Sequence, residues 1–360
     1  MAKRGRFQQQ KSKRSGVLGK IVLTVVIMLV VVISGAAVTG IIYYNSMLNL
    51  VTRPEATEVV LSDEQLEQIL GYVPEKIETQ ATEAPVETTI PKKPVEDNII
   101  NIMLIGQQQR EKETAKLSDT MILCSINKDT KTVTLISFLR DLYTKLPNFQ
   151  GHVCGKNRIN VAYNLGWYWA GEKGGMEMLD QLILENFGVE VDYNVEVGFE
   201  AFTDVINTMG GVDIELTAAE AGFLRLGGAG TYHLEGDKAL EYARIRAIDN
   251  DFNRTARQRN LISCLINKCR TMSLTELNNL VKTVLPLVIT DMSNEEITDC
   301  ILDVVPMLLD LKIESCQIPV EGTYRFSTLD IIGVESNVII CDEAENSRVL
   351  QEIAEPPAEN

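Results

Sequence analysis

Residues 21–44, IVLTVVIMLVVVISGAAVTGIIYY, contain no charged side chain. At ~1.5 Å per residue, a helix of this length crosses a hydrocarbon layer of ~30 Å. A cleaved secretory leader is the nearest alternative. Its apolar part normally runs only ~7–15 residues and ends at a small-residue cleavage site. Here Ser34, Gly35, Ala36 and Ala37 fall inside the run, and Tyr43 and Tyr44 stand where an interfacial aromatic belt would. The sequence therefore predicts one uncleaved transmembrane helix over 21–44. Residues 1–20 hold seven basic groups and no acidic one. That flank places the N-terminus in the cytoplasm and the rest of the chain outside the cell.

The chain as a whole is acidic, with a formal net charge of −16 in spite of its basic tail. An acidic bulk argues against general nucleic-acid binding, whose affinity comes largely from cationic contacts to phosphate. No GxSxG motif is present, and His152 and His233 have no evident triad context. The seven cysteines lack paired CxxC spacing, which argues against a structural zinc site. Several sit in apolar runs, such as Cys124 in MILCSI and Cys264 in LISCLI, as small buried hydrophobes do.

After the membrane segment, residues 45–98 have little capacity to form a core. Ser62 with Gln65 reads as a capping box opening a short helix, ended by Gly71. The following Thr, Glu, Pro and Lys read as a stalk. From Ile99 the composition changes. Residues 99–105, 120–126, 132–138, 191–197 and 212–216 have strand composition, and NKDTK supplies a hairpin turn. Residues 174–187, 200–209, 236–243 and 255–272 have helical periodicity. Interleaved helices and strands define an α/β domain with a mostly central sheet. Residues 274–311 read as helical with breaks at Pro286 and Pro306. Residues 354–360 are a polar tail.

The stretch EYARIRAIDNDFNRTARQR, 241–259, concentrates arginine in this acidic chain. Arg244 and Arg246 share a face if the backbone is extended. Arg254, Arg257 and Gln258 share one if it is helical. Convergent arginines make a planar, permanently charged donor set suited to phosphate or pyrophosphate. A solvated charge run paired with Asp237, Glu241, Asp249 and Asp251 is equally compatible with the spacing.

Eight fragments taken in order resemble the LytR–CpsA–Psr family of membrane-anchored cell-wall enzymes. They are NIMLIG at 101–106, SDTMIL at 118–123 after Arg110, TLISFLRDLY at 134–143, RINVAYNLG at 158–166, GGMEML at 174–179, VEVGFEAFTDVINTMGGVDIEL at 195–216, HLEGDKALEYARIR at 233–246 and DFNRTARQR at 251–259. The resemblance implies a three-layer α/β/α domain with a central mixed sheet over 99–272. Residues 273–353 are expected to extend it, and the resemblance implies a groove for a lipid tail. It implies a phosphotransferase that moves a glycopolymer from a polyprenyl-pyrophosphate carrier to peptidoglycan. Carried over by motif, Arg140, Arg158, Arg244, Arg246, Arg254, Arg257 and Gln258 would bind the pyrophosphate. Asp119 and Arg110 would be catalytic, with Asp119 also the ligand of Mg2+ or a similar divalent cation.

Three positions depart from the family pattern. Gln108 stands where a second aspartate is usual, and an amide is a weak ligand for a hard cation. Leu117 replaces an arginine before SDT, and Arg158 replaces a lysine. A non-catalytic polyprenyl-pyrophosphate binder is therefore the competing expectation. A transcription regulator fits poorly, because the topology puts the folded part away from DNA.

Overall fold

The computed structural model of the protein describes residues 45–54, 75–76, 98–107, 118–331 and 333–355. The expected transmembrane helix, the basic tail, most of the stalk and residues 356–360 lie outside the described residues. Among the described residues no helix is long and apolar enough to cross a membrane. The chain divides into two compact units, residues 1–49 and 50–360. Of the first, only one helical turn at 45–48 is described, closed by the Asn49 N–H donating to the Asn45 carbonyl at 3.1 Å.

The second unit is built on a six-stranded mixed sheet. Its strands are β1 (Ile99–Gln107), β2 (Ser118–Asn127), β3 (Thr132–Phe138), β4 (Tyr193–Gly198), β7 (Val288–Thr290) and β8 (Lys312–Ile318). The order across the sheet is β7-β4-β1-β2-β3-β8. β1 is antiparallel to β2 and parallel to β4, and β3 is antiparallel to β2 and parallel to β8. Four strands therefore point the same way, and β2 and β7 run against them. The β2–β3 turn forms because Asn127 Oδ1 accepts from the Asp129 and Thr130 N–H groups at 3.0 Å each.

Side chains of both parities are buried in the central strands, as a sheet covered on both faces requires. On one face Met103, Leu123 and Ile136 lie in register beside Ile105, Met121 and Phe138. They pack on α1 (Asn160–Phe187) and α8 (Glu343–Ala354). On the other face Ile122, Ile126, Val133 and Leu135 are buried as well. A second core joins α2 (Phe199–Thr208), β5 (Val212–Leu216), α3 (Ala218–Phe223), β6 (Gly230–Leu234), α4 (Gly236–Ala243) and α5 (Asp251–Cys269) through Ile206, Ile214, Leu224, Leu234, Tyr242 and Leu261.

Several boundaries differ from those expected. β1 continues through Gly106 to Gln107, with a bulge between the two. Gly106 lies so close to Thr120 that a Cβ there would stand 2.8 Å from its Cβ. α1 begins at Asn160, well before Gly174, and bends at Ala170 and Gly171, where Gly171 takes φ 66°. At the bend Gly166 and Gly174 touch backbone to backbone, a contact that excludes any side chain. α5 begins at Asp251, not Thr255, because Asn250 caps it by accepting from the Asn253 N–H at 3.1 Å.

Residues 274–311 are not continuously helical. α6 (Leu274–Val284) ends in a 3-10 turn at Pro286, after which β7 forms the sheet edge. α7 (Asn294–Val304) ends in another 3-10 turn, at Pro306, before β8. β8 matches β3 over seven consecutive residue pairs. Residues 273–353 thus supply both edges of the one sheet. They also add a hairpin, β9 (Tyr324–Ile331) and β10 (Val334–Cys341). The tail expected from 354 begins at Glu355, because Ala354 is the buried last residue of α8.

Candidate active site

The carboxyl ends of the four like-directed strands meet at one end of the sheet, the usual ligand position in an open α/β sheet. Asp119, second residue of β2, and Arg140, two residues past β3, lie at that end. Arg140 is fixed from both sides, since the Leu139 N–H donates to Ile318 O at 3.0 Å and the Asn160 N–H to Arg140 O at 3.4 Å. Arg140 Nη1 donates to Asp119 Oδ1 at 3.0 Å. Arg246 Nη2 stands 3.5 Å from Asp119 Oδ2, and Arg254 Nη2 donates to the Asp119 backbone carbonyl at 3.3 Å. One aspartate therefore gathers three arginines from three separate segments.

Two further aspartates complete the array. Asp251, in the first turn of α5, lies 2.8 Å from Arg254 Nη2 and 4.0 Å from Arg140 Nε. Asp141 lies 3.5 Å from both Arg140 Nε and Arg158 Nη1. Arg140, Arg158, Arg246 and Arg254 thus face Asp119, Asp141 and Asp251, an excess of positive charge. Burial works against the Arg140 charge, yet Asp141, Asp251 and Asp119 together raise its pKa. Burial lowers the pKa of Arg254, and repulsion from Arg246 and Arg140 adds to it against the pull of Asp251 and Asp119. Both guanidiniums stay charged at any physiological pH. Crowded arginines of this kind are relieved by an anion carrying more charge than one carboxylate.

Among the described residues, Gln107 Nε2 and Oε1, Ser118 Oγ and Gln258 Oε1 are buried atoms without a hydrogen-bond partner. Gln107 and Ser118 are neighbours across β1 and β2, one residue from Asp119.

The expected site residues separate into groups. Asp119, Arg140, Arg158, Arg246 and Arg254 come together. Gln258 is one turn beyond Arg254 on the same face of α5. Arg244 is exposed at the C-cap of α4 with φ −102° and ψ 0°, so it and Arg246 are not the extended pair their spacing allowed. Arg110, Gln108 and Leu117 lie outside the described residues. Arg257 is placed differently from the others. It is buried, and each of its three nitrogens donates to the protein: Nε to Glu220 at 2.7 Å, Nη1 to Ile245 O at 3.0 Å and Nη2 to Asp249. The family motif assigned it to the pyrophosphate, whereas its bonds tie α5 to α3 and to the loop before α5. Asp141 and Asp251 act in the array beyond what the motifs assigned. The signal was the charge alternation in LRD and DFNR.

The histidines and cysteines lie elsewhere in the fold. His233 pairs with Asp213 at 2.7 Å across β5 and β6, and His152 stacks on Trp169 at 4.4 Å. All seven cysteines are free thiols. Burial pushes Cys124 and Cys154 up to about 12 and Cys300 and Cys341 up to about 11, so they behave as hydrophobes.

Among the described residues no three His, Cys, Asp or Glu side chains are placed to hold a metal. Asp119 alone does not make a protein cage for Mg2+. It does fit an ion that takes its remaining oxygens from substrate phosphates and water, the usual habit of Mg2+.

Fold and site together define an α/β protein whose sheet end presents a convergent arginine cluster suited to a diphosphate. The model of the LytR_cpsA_psr family matches residues 71–344, and the chain belongs to that family. It is 31% identical over 205 residues to the polyisoprenyl-teichoic acid–peptidoglycan teichoic acid transferase TagU of Bacillus subtilis (strain 168). That match covers 55% of this chain and 62% of the relative. The TagU protein of Oceanobacillus iheyensis is 32% identical over 184 residues, covering 49% and 54%. Among solved structures, TagT bound to LIIa-WTA superposes with a TM-score of 0.57 at 23% identity, over 73% of this chain and 95% of that one. B. subtilis TagV gives 0.56 at 23%, over 72% and 98%. At such identities the likeness concerns the fold.

Proposed function

We propose that the protein is a membrane-anchored phosphotransferase that moves a glycopolymer from a polyprenyl-pyrophosphate carrier to peptidoglycan outside the cell. The observation that carries this reading is the gathering of Arg140, Arg246 and Arg254 on Asp119 at the sheet end. The names of the TagU relatives supply the reaction class. Residues 21–44 are the proposed anchor, with the N-terminus cytoplasmic.

In this reading a peptidoglycan hydroxyl attacks the phosphorus nearer the sugar. The new P–O bond makes a phosphodiester, and the bond to the bridging oxygen breaks. Polyprenyl phosphate leaves with that oxygen, and the hydroxyl proton is lost to a base. Arg140, Arg158, Arg246 and Arg254 hold the diphosphate and neutralise charge on its non-bridging oxygens, which is most of what phosphoryl transfer asks of a protein. Once the diphosphate occupies these arginines, Asp119 is the residue that would hold a divalent ion. Such an ion would neutralise charge on the departing phosphate. Arg257, Glu220 and Asp249 hold the helix that carries Arg254.

The test is to incubate the full chain in detergent with a polyprenyl-pyrophosphate-linked glycopolymer, peptidoglycan and magnesium, and to follow release of polyprenyl phosphate. Transfer by the wild type, with a loss of about a hundredfold or more in Arg140→Ala, is expected. Absence of both transfer and lipid binding would sink the proposal.

A second reading, a non-catalytic binder of the same lipid, is favoured by the Asp119 carboxylate being engaged already by Arg140 and Arg246. Binding without transfer in the wild type, unchanged when Gln108→Asp and Leu117→Arg are introduced together, would select it.

A further inference from the structure

Three aromatic rings from two elements meet beside the arginine cluster. Phe252, in the first turn of α5, stacks on Tyr324 of β9 with ring centroids 4.8 Å apart. Phe326, two residues along β9, meets Phe252 and Tyr324 edge-on at 6.2 and 5.8 Å. Phe252 and Tyr324 pack inward against the main core. Phe326 remains 69% exposed. The other two rings brace it, so it offers an open aromatic face held in place.

Two backbone ties fix this platform to the candidate site. On one side Phe252 follows Asp251, which contacts both Arg254 and Arg140. On the other, Phe326 is the register partner of Ile339. The Ile339 N–H donates to Asp141 O at 2.8 Å, and Leu142 forms a parallel bridge with Ile339. Asp141 adjoins Arg140 and contacts both Arg140 and Arg158. The rings therefore form a rim on the cluster, not a separate patch.

We infer that Phe326, braced by Tyr324 and Phe252, is a stacking platform for the pyranose ring attached directly to the carrier pyrophosphate. The inference rests on the functional reading above and specifies its donor subsite. A pyranose has an apolar C–H face and a hydroxyl rim. Laid on an aromatic ring, it covers the C–H face and leaves the hydroxyls in water, which suits a ring that is mostly exposed. A polyprenyl chain calls for an enclosed apolar groove, and an open ring supplies none. The sugar is the group that a diphosphate bound by Arg140 and Arg254 would carry to this rim, because it is bonded to that diphosphate. Phe326 positions the donor and takes no part in bond making.

The test compares two probes on the full chain in detergent: polyprenyl pyrophosphate alone, and the same lipid bearing an N-acetylhexosamine disaccharide. The wild type should bind the sugar-bearing lipid more tightly. Phe326→Ala should erase that gain, roughly three- to tenfold, the scale of one aromatic contact. The loss should be confined to the sugar-bearing lipid, and Phe326→Trp should restore it. Equal loss on both lipids, or no loss on either, overturns the inference while leaving the pyrophosphate site intact. Weakened binding of soluble peptidoglycan fragments, with donor affinity unchanged, assigns the rim to the acceptor and also overturns it. If the wild type binds neither lipid, the functional reading fails first and this one with it.

Discussion

Arg254 and Arg257 lie three residues apart on one helix, both buried, and they do different work. Arg257 is enclosed by Glu220, Asp249 and the Ile245 carbonyl. Every donor direction it uses ends on the protein. Arg254 shares its aspartates with Arg140 and Arg246, and its Nε is buried without a hydrogen-bond partner among the described residues. Arg246, in the same cluster, is 46% exposed, whereas the Arg257 side chain is 5% exposed. One arginine set is closed on itself and the other is left short of negative charge. Helical spacing cannot separate them. What separates them is whether the protein has already supplied the counter-charge.

The largest expected effect is on the closed set. Arg257→Ala leaves Glu220 and Asp249 without their cation, and removing one partner of a buried pair costs about 3–5 kcal/mol. Chemical denaturation should show this as a lower midpoint with an unchanged slope. A loss below ~1 kcal/mol would mean that Arg257 is not structural.

Arg246→Ala should do the reverse. Its stability should stay within ~0.5 kcal/mol of wild type, as for other exposed substitutions. Its affinity for polyprenyl pyrophosphate should fall roughly a hundredfold, the loss of about two charge-assisted hydrogen bonds. If folding suffers while binding holds, the two sets have been assigned the wrong way round.

Asp119→Asn sharpens the comparison from the acidic side. It removes negative charge that the arginines now use, so bare pyrophosphate lipid should bind as tightly as to wild type or up to roughly tenfold more tightly. Transfer should fall. Calorimetric titration beside a transfer assay separates the two readouts, and weaker lipid binding would argue that Asp119 holds an ion needed for binding itself.

The smallest effect concerns pH. Burial opposes the Glu220 charge, but hydrogen bonds from Thr217 and from Arg257 hold its pKa below the ordinary carboxylate range. The folded state therefore binds this proton less readily than the unfolded chain does. The stability that Glu220 contributes is complete above the unfolded pKa of ~4.3 and is lost as pH falls through the folded value. In Glu220→Gln the acid limb of stability against pH should be shallower than in wild type. Identical limbs would remove Glu220 from the account.

Much of the sheet was legible in the sequence because its strands are short apolar runs bounded by turn residues. Those expected at 99, 120, 132, 191 and 212 begin within two residues of those positions. The first half of α1 was not legible. Asn160, Asn164, Trp167 and Gly166 give it no single apolar stripe, since it is buried on nearly all sides. β7 was hidden between two prolines inside what read as one helix. β8 was missed because KIESCQI mixes exposed charges with apolar residues, as an edge strand does.

At the site, Asp119, Arg140, Arg246 and Arg254 could be placed by motif. The role of Arg257 could not, because Glu220 lies 37 residues away from it in sequence. Spacing shows which side chains share a face. It does not show which distant carboxylate has reached them first.

The pairing of β3 with β8 has a consequence for how the chain acquires its fold. β3 is buried along nearly its whole length, yet its outer neighbour is about 180 residues later in the sequence. Until residue 318 is available, β3 is a bare apolar edge able to recruit a strand from another chain. Folding must wait for this late, non-local pairing, which is slow compared with local helix formation. A nascent chain therefore passes through an extended period in which its central sheet is open and vulnerable to mispairing. Truncation anywhere before β8 should yield aggregates, not a smaller domain.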